Sequence, residues 1–127
     1  WTYAVDGLIG TSVSGLAASR KDNEEHAFAR DSVLDALHPH SRDLSTTDAP
    51  FTLKLPNLWH LASDVTGTLG DGSSSLDLVG ALHPTAAVAG HPTAAALSLI
   101  AELEPADRGR YAGPVGWVAA DRGGEWA

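Results

Sequence analysis

The sequence predicts an α+β fold in which antiparallel strands pack against helices. Three observations lead to this class. Apolar residues recur at helical spacing between residues 22 and 37, segments rich in apolar and β-branched residues precede and follow that helix, and turn-forming residues separate these segments. The 127 residues are enough for one domain with a modest core, and the predicted order of elements is β-β-α-β-β-α-α-β.

The long helix is predicted from Asp22 to Leu37. Asp22 or Asn23 can cap its first turn, because their side-chain oxygens accept hydrogen bonds from free backbone N–H groups. Pro39 ends the helix, since proline lacks the amide hydrogen that a continuing helix needs. The apolar face that should pack on the strands consists of Phe28, Val33, Leu34 and Leu37.

The strands are predicted from short apolar runs bounded by turn residues. Asp6-Gly7 is typical of a hairpin turn, so the runs on either side, 1–5 and 8–13, are expected to pair with each other. Residues 40–50 are polar and predict a loop. Further strands are expected at 51–55, 58–69 and 115–120, with a last one starting at Glu125.

Two shorter helices are predicted in the second half of the chain. Ser74 or Ser75 can cap the first of them, which continues through Leu82 and ends before Pro84. Thr93 is the expected cap of the second helix, which continues to about Glu104.

The charge balance excludes several classes of partner. The 16 acidic and 8 basic residues give a formal net charge of −8, which argues against nucleic acid and anionic membranes, because both bind clustered basic surfaces. The absence of cysteine excludes disulfides and thiolate zinc sites. No apolar run reaches the ~20 residues of a membrane span and no secretion signal is visible, so a cytoplasmic protein is expected.

The first acidic cluster is a candidate cation site. Asp22 and Glu25 are three residues apart, so on a helix they share a face and both can reach one hard cation such as Mg²⁺. Acidic residues in a first helical turn also complement the positive end of the helix dipole without any metal. Spacing alone favours this second interpretation.

The other candidate residues point to no hydrolase or nucleotide site. His60 lies between Trp59 and Leu61 in a predicted strand, where a histidine is either a hydrogen-bonded core residue or a donor to a substrate oxygen. The motifs G-x-S-x-G, G-x-G-x-x-G and the P-loop are absent. In residues 108–117, R-G-R-Y-A-G-P-V-G-W, the glycines allow close approach of a ligand and the arginines suit a carboxylate, but a tight loop before a strand explains them equally well.

Five separated segments carry a family resemblance. They are K-D-N-E-E-H (21–26), L-W-H-L-A (58–62), L-H-P-T-A-A-V-A-G-H-P (82–92), A-E-L-E-P-A-D-R-G-R-Y-A-G-P-V-G-W (101–117) and G-E-W (124–126). In this order they closely resemble isochorismate synthases, which belong to the chorismate-utilising family together with salicylate and anthranilate synthases. The resemblance extends over nearly all of residues 16–127.

The resemblance implies a fold, a metal and a set of site residues. The implied fold has two antiparallel sheets packed between helix layers, and the implied enzyme uses Mg²⁺ and binds chorismate. Glu25 would bind the metal, with Asp22 as a second carboxylate, and His60 would be a catalytic residue near the reacting ring. The implied substrate-binding residues are Ala87, Val88, Tyr111 and Gly113.

Ala87 distinguishes between the reactions of the family. Salicylate-forming relatives resemble this loop but have threonine at that position, whereas isochorismate synthases have alanine. The resemblance therefore implies isomerisation of chorismate to isochorismate without loss of pyruvate. A salicylate synthase-like lyase and a degenerate, non-catalytic chorismate-binding module are the alternatives. Menaquinone and siderophore synthesis are both open as pathways, and so is the oligomeric state.

The sequence departs from the family near residues 12–15 and at both ends. After Thr11-Ser12 the family continues with proline and a general-acid glutamate, whereas Val13-Ser14 leads directly to G-L-A-A-S (15–19). The family's general-base lysine and its substrate-carboxylate arginine have no counterpart either. We therefore expect residues 1–127 to be a partial catalytic domain with a discontinuity near 12–15, and this chain alone to be inactive.

Overall fold

A computed structural model of the chain describes residues 2–4, 7–10, 13–56 and 58–127. The chain forms two compact units, residues 1–71 and 72–127. Helices and small antiparallel sheets make up these units, which confirms the predicted α+β class. Among the described residues no single helix is long and apolar enough to cross a membrane. Only the bent pair 75–89 and 93–103, counted together, has the length and composition for it.

The described residues of the first unit form six short strands, two helices and a 3-10 helix. These elements are β1 Thr2–Ala4, β2 Gly7–Gly10, α1 Val13–Ala18, α2 Arg20–Leu37, the 3-10 helix His38–His40, β3 Ser45–Thr46, β4 Phe51–Lys54, β5 Trp59–Ala62 and β6 Asp64–Thr66. They form two three-stranded antiparallel sheets with the orders β2-β5-β4 and β1-β6-β3. Helix α2 packs on β2 and β5, and α1 packs on α2.

The hairpin expected at the start of the chain does not form. Strand β1 pairs with β6, where Tyr3 lies opposite Val65, and β2 pairs with β5, where Gly7 lies opposite Leu61. The prediction was wrong because a two-stranded hairpin is only marginally stable, whereas β5 and β6 offer each segment a place in a larger sheet. Asp6 of the expected turn lies outside the described residues.

The strand predicted at 58–69 is two strands in two sheets. β5 and β6 are the centre strands of their sheets, and a single residue, Ser63, separates them. Leu61, Ala62 and Val65 are buried, at 1%, 0% and 0% exposure. Residues on both sides of Ser63, where the chain passes from one sheet to the other, therefore contribute to the core of this unit.

Helix α2 begins two residues earlier than predicted, and its buried stripe differs from the predicted one. Ser19, and neither Asp22 nor Asn23, is the cap, because the Ser19 hydroxyl accepts the Asp22 backbone N–H at 3.3 Å. Phe28 is 55% exposed, which corrects the predicted apolar face. The buried residues are His26, Val33 and Leu37, which follow one another by seven and four positions and therefore share one side of the helix.

The second unit consists of three helices and a hairpin. They are α3 Ser75–Leu82, α4 Ala86–Ala89, α5 Thr93–Leu103, β7 Gly116–Val118 and β8 Gly124–Trp126. Ser74 caps α3 as predicted. Its hydroxyl accepts the Asp77 backbone N–H at 3.3 Å, and the Asp77 carboxylate accepts the Ser74 backbone N–H at 2.7 Å, which completes a capping box. Helix α5 confirms the second predicted helix, although Pro92 and not Thr93 holds the cap position.

The hairpin β7–β8 depends on two glycines. Gly116 pairs with Trp126 and Gly124 pairs with Val118. A side chain on Gly116 would overlap the Glu125 carbonyl oxygen and the Trp126 ring. Glycine at this position allows the close approach, and the two strands confirm those predicted at 115–120 and from Glu125.

Candidate functional site

The two predicted metal-binding carboxylates lie near the start of α2. Asp22 is in the first turn, and Glu25 follows one turn later on the same face. The Glu25 carboxylate lies 3.4 Å from Lys21 Nζ, and 48% of the Glu25 side chain is exposed. An exposed ion pair at this spacing contributes little free energy.

The donor set on α2 fits a magnesium ion better than a metal that needs a full protein cage. Carboxylate oxygens are the hard ligands that Mg²⁺ prefers, and Mg²⁺ commonly takes one or two of them together with waters and substrate oxygens. Within the described ranges, no group of three or more His, Asp or Glu side chains is placed to hold a metal ion. The carboxylates of Asp22 and Glu25 are compatible with Mg²⁺ by ligand type, and their role as its ligands stays a prediction.

A buried hydrogen bond fixes α2 beside these carboxylates. His26 Nε2 lies 2.9 Å from the Ser63 hydroxyl oxygen, and the two residues are 1% and 0% exposed. Buried polar groups cost free energy unless they are hydrogen-bonded, so this pair favours one rotational position of the helix. Because Glu25 directly precedes His26, the same contact determines where the Glu25 side chain leaves the helix.

His60 lies on β5, the centre strand of its sheet, opposite Leu53 of β4. The residue is half-buried, whereas its neighbour Leu61 is buried. Successive strand residues point to opposite faces, so the His60 ring and the Leu61 side chain project to different sides of the sheet. A neutral imidazole carries one N–H donor and one acceptor, which allows His60 to bind an oxygen atom of a ligand. The core histidine of this unit is His26.

The predicted substrate residues Ala87 and Val88 lie in α4, which is a single helical turn. The backbone N–H groups of Val88 and Ala89 both donate to the Thr85 carbonyl oxygen at 3.0 Å. The turn ends at Gly90, where a φ of +93° favours glycine. Ala87 is exposed and Val88 is half-buried, so the turn presents a methyl group at the surface of this unit.

Arg108 connects α4 with the segment that follows α5. Its Nη1 donates to the Val88 carbonyl oxygen at 3.1 Å, while Nε and Nη2 donate to the Glu104 carboxylate at 2.8 and 2.5 Å. The hydrogen bonds from Arg108 lower the pKa of the Glu104 carboxyl, and the Glu104 carboxylate raises the pKa of Arg108. The arginines of 108–117 were expected to suit a carboxylate, and the carboxylate that Arg108 binds is Glu104 of the same chain.

Tyr111 and Gly113 lie in consecutive turns after Arg108. The Tyr111 backbone N–H donates to the Arg108 carbonyl oxygen at 2.8 Å, and the Gly113 N–H donates to the Arg110 carbonyl oxygen at 3.1 Å. The Tyr111 side chain is 69% exposed. The Arg108 guanidinium lies 5.6 Å from the centroid of the Tyr111 ring, which is within the range of a cation–π interaction.

The predicted site residues divide between the two units. Asp22, Glu25 and His60 belong to the first, and Ala87, Val88, Tyr111 and Gly113 belong to the second. Within the second unit, Arg108 contacts both Val88 and Tyr111. The link between Val88 and Tyr111 therefore depends on Arg108, which is not one of the predicted site residues.

Two polar pairs were not predicted from the sequence. His26–Ser63 could have been suspected from the helical spacing of His26 with Val33 and Leu37. Glu104 and Arg108 have the four-residue spacing of a helical ion pair. Pro105 lies between them and indicates that the helix has ended, so the sequence does not predict this pair.

The chain is similar to proteins of known class along almost its whole length. A family model described as "Chorismate binding enzyme" matches residues 11–127. Isochorismate synthase DhbC of Bacillus subtilis is 45% identical over 112 residues, which is 87% of this chain and 28% of that protein. Isochorismate synthase EntC of Escherichia coli strain K12 is 40% identical over 111 residues, with the same coverage of 87% and 28%.

A solved structure agrees with these matches. The crystal structure of DhbC from Bacillus anthracis superimposes with a TM-score of 0.89 at 33% identity, over 98% of this chain and 36% of that chain. The chain thus spans 28% of the length of the Bacillus subtilis relative and 36% of the solved chain.

Proposed function

Because the chain belongs to the chorismate binding enzyme family, as its motifs predicted, we propose that it is part of an isochorismate synthase, an isomerase. The observation that carries this proposal is the family match over residues 11–127. Relatives described as isochorismate synthases support the same activity. Since the chain spans 28% of the Bacillus subtilis relative, the activity is proposed for the complete protein and not for this chain alone.

The metal in this proposal is Mg²⁺, held by Asp22 and Glu25. A bound Mg²⁺ offsets the negative charge of a substrate carboxylate and orients it. The Lys21–Glu25 pair is exposed and weak, so it would not prevent the Glu25 carboxylate from holding the ion. His60, on the centre strand of its sheet, donates a hydrogen bond to an oxygen near the reacting ring.

The substrate in this proposal is chorismate, which contacts Ala87, Val88, Tyr111 and Gly113. Water adds at one ring carbon while the hydroxyl group of another ring carbon leaves, the ring double bonds shift between the two positions, and the enolpyruvyl ether bond stays intact. The general acid and general base of the family have no counterpart in residues 1–127. In this proposal Ala87, Val88, Tyr111 and Gly113 bind and orient the substrate.

The activity is tested with the complete protein, chorismate and Mg²⁺, with the products separated by chromatography. Isochorismate without pyruvate is the expected result. Release of salicylate and pyruvate would instead favour the salicylate synthase-like lyase, and a requirement for an ammonia donor would exclude both. Binding of chorismate without any product would indicate the non-catalytic module.

The metal site is tested separately by titrating Mg²⁺ into the protein in a calorimeter. Glu25→Gln is expected to weaken Mg²⁺ binding by roughly tenfold or more, because it removes one of two charged ligands. Glu24→Gln is the matched control. Glu24 is the adjacent acid, lies on another side of the helix and is 3.4 Å from Arg20 in a similar exposed pair. Equal losses for the two variants would reject the assignment of Glu25.

The discontinuity near residues 12–15 stays a prediction. Ser12 lies outside the described residues, and residues 13–15 lie in α1. Intact-mass measurement tests it directly. A mass well above 13.2 kDa is expected if residues are omitted, and a mass near 13.2 kDa would show that the sequence is continuous.

A further inference from the structure

Arg108 makes three kinds of contact that converge on one guanidinium group. It donates twice to the Glu104 carboxylate, once to the Val88 carbonyl oxygen, and lies over the Tyr111 ring. We call these four residues the Arg108 bracket. All of them belong to the second unit, and α5 separates Val88 from the other three along the chain.

The geometry of the bracket requires arginine. A guanidinium is planar and presents its N–H donors in a fixed fork, so two donors can meet one carboxylate while a third meets a carbonyl and the flat face meets a ring. A lysine ammonium is a compact charge that cannot satisfy these partners from one position. The Arg108 side chain is only 29% exposed, which limits competition from water.

The turns of the loop around Arg108 are formed by hydrogen bonds that do not involve the Arg108 side chain. Backbone hydrogen bonds from Tyr111 to Arg108 and from Gly113 to Arg110 form its turns, and the Gly109 N–H donates to the Asp107 carboxylate at 2.6 Å. The Arg108 side chain instead joins this loop to α4. Its loss should therefore release Val88 from Tyr111 without unfolding either segment.

We propose that Arg108 is a positioning residue that holds the Val88 backbone and the Tyr111 ring at a fixed separation, so that both can contact the same substrate. This inference rests on the proposed function, which assigns Val88 and Tyr111 to chorismate binding. Glu104 takes part by orienting the guanidinium and by accepting hydrogen bonds from two of its other N–H donors, those on Nε and Nη2. Arg108 itself does not touch the substrate.

The test compares Arg108→Lys with Arg122→Lys in the complete protein. Arg122 is a suitable control because it also pairs with a carboxylate of the second unit, Asp77, at 3.7 Å, and has no assigned role. Arg108→Lys is expected to raise KM for chorismate about tenfold, since charged hydrogen bonds that shape the pocket are lost, while kcat changes less than about twofold. Arg122→Lys should change neither constant.

A second variant and a second measurement keep the inference testable if Arg108→Lys folds poorly. Glu104→Gln retains an oxygen acceptor but removes the charge, and is expected to raise KM by about threefold. The backbone order parameter of Val88, from ¹⁵N relaxation, should fall in Arg108→Lys and stay unchanged in Arg122→Lys. This readout does not depend on activity.

The outcomes separate the two proposals. Absence of isochorismate from the wild-type reaction would refute the proposed function. An unchanged Val88 order parameter in Arg108→Lys would refute the Arg108 bracket, and so would equal changes in KM for the Lys variants at positions 108 and 122. A loss of kcat without a change in KM would also contradict a positioning role.

Discussion

The two units of the chain hold their candidate site residues in different ways. In the first, the described side chains include a buried core of Val33, Leu37, Leu61, Ala62 and Val65, with the hydrogen-bonded pair His26–Ser63 inside it. In the second unit, only Leu78 and Ala89 among the hydrophobic residues are buried. Its large exposed apolar residues are Leu76, Leu97, Leu99, Leu103, Tyr111, Val115, Trp117 and Val118.

The two units position their candidate site residues through different kinds of contact. The first unit positions Glu25 through a helix that is fastened from its buried side by His26. The second unit positions Val88 and Tyr111 through a partly exposed arginine and through turns. Substitutions should therefore affect the first unit mainly through packing and the second mainly through polar contacts.

The largest effect is expected from removing buried volume in the first unit. Leu37 is 0% exposed, so Leu37→Ala should lower the free energy of unfolding by about 2–5 kcal/mol. Leu103 is 74% exposed, so Leu103→Ala should change it by less than about 0.5 kcal/mol. Urea unfolding followed by tryptophan fluorescence measures both. Similar losses of unfolding free energy for Leu37→Ala and Leu103→Ala would contradict the view that only the first unit depends on a buried core.

A smaller effect is expected from the buried polar pair. Ser63→Ala removes the hydroxyl that His26 contacts in the core, and should cost about 1–3 kcal/mol. Ser98→Ala is the control. The Ser98 hydroxyl is exposed and donates to the Ala94 carbonyl oxygen within α5, so in the variant a water molecule can donate to that carbonyl instead. The same urea series applies. If Ser63→Ala is as mild as Ser98→Ala, the hydrogen bond does not fasten α2.

In the second unit, the corresponding contact is the cap of α3. Ser74→Ala removes the hydroxyl of the capping box and should destabilise the helix by about 1 kcal/mol. Ser74→Thr keeps a capping hydroxyl and should restore most of that loss. Hydrogen exchange of the α3 amides, compared with those of α2, measures the effect. Faster exchange in both helices would mean that the cap acts beyond its own unit.

The smallest effect is a dependence on pH at the surface of the first unit. The backbone N–H and hydroxyl of Thr68 donate to the Asp43 carboxylate at 2.7 and 3.0 Å and lower the pKa of Asp43. A lowered pKa in the folded state means that the stabilisation is present above the ordinary aspartate pKa and is lost as pH falls through the lowered value. The Tm difference between wild type and Asp43→Asn, measured across a series of pH values, should therefore shrink on acidification, and a difference that stays constant would contradict this role of Asp43.

Local chemistry made part of this structure predictable. The start of α3 follows from Ser74 and its end from Pro84, because caps and the residues that stop a helix act within one turn. The start of α2 was misplaced since Ser19 precedes two other residues that can also cap. Ambiguity among neighbouring caps cannot be resolved without knowing which side of the helix is buried.

Long-range pairing made the rest unpredictable. The turn signal at Asp6-Gly7 is local, but the partners of β1 and β2 are about fifty or more residues away. The candidate carboxylates were found from spacing and resemblance, whereas Ser63 and Arg108 gain their roles only from residues that folding brings to them. Tertiary contacts of this kind leave no periodic pattern in the sequence.

The single residue between β5 and β6 also limits how this chain can change in length. Side chains alternate between the two faces of a strand, so deleting Ser63 or inserting a neighbour would invert the orientation of β6 relative to β5. Val65, now completely buried, would then face outward. Insertions and deletions should be tolerated in the loop 47–50. They should not be tolerated at Ser63, because the number of residues between β5 and β6 determines which side chains enter the core.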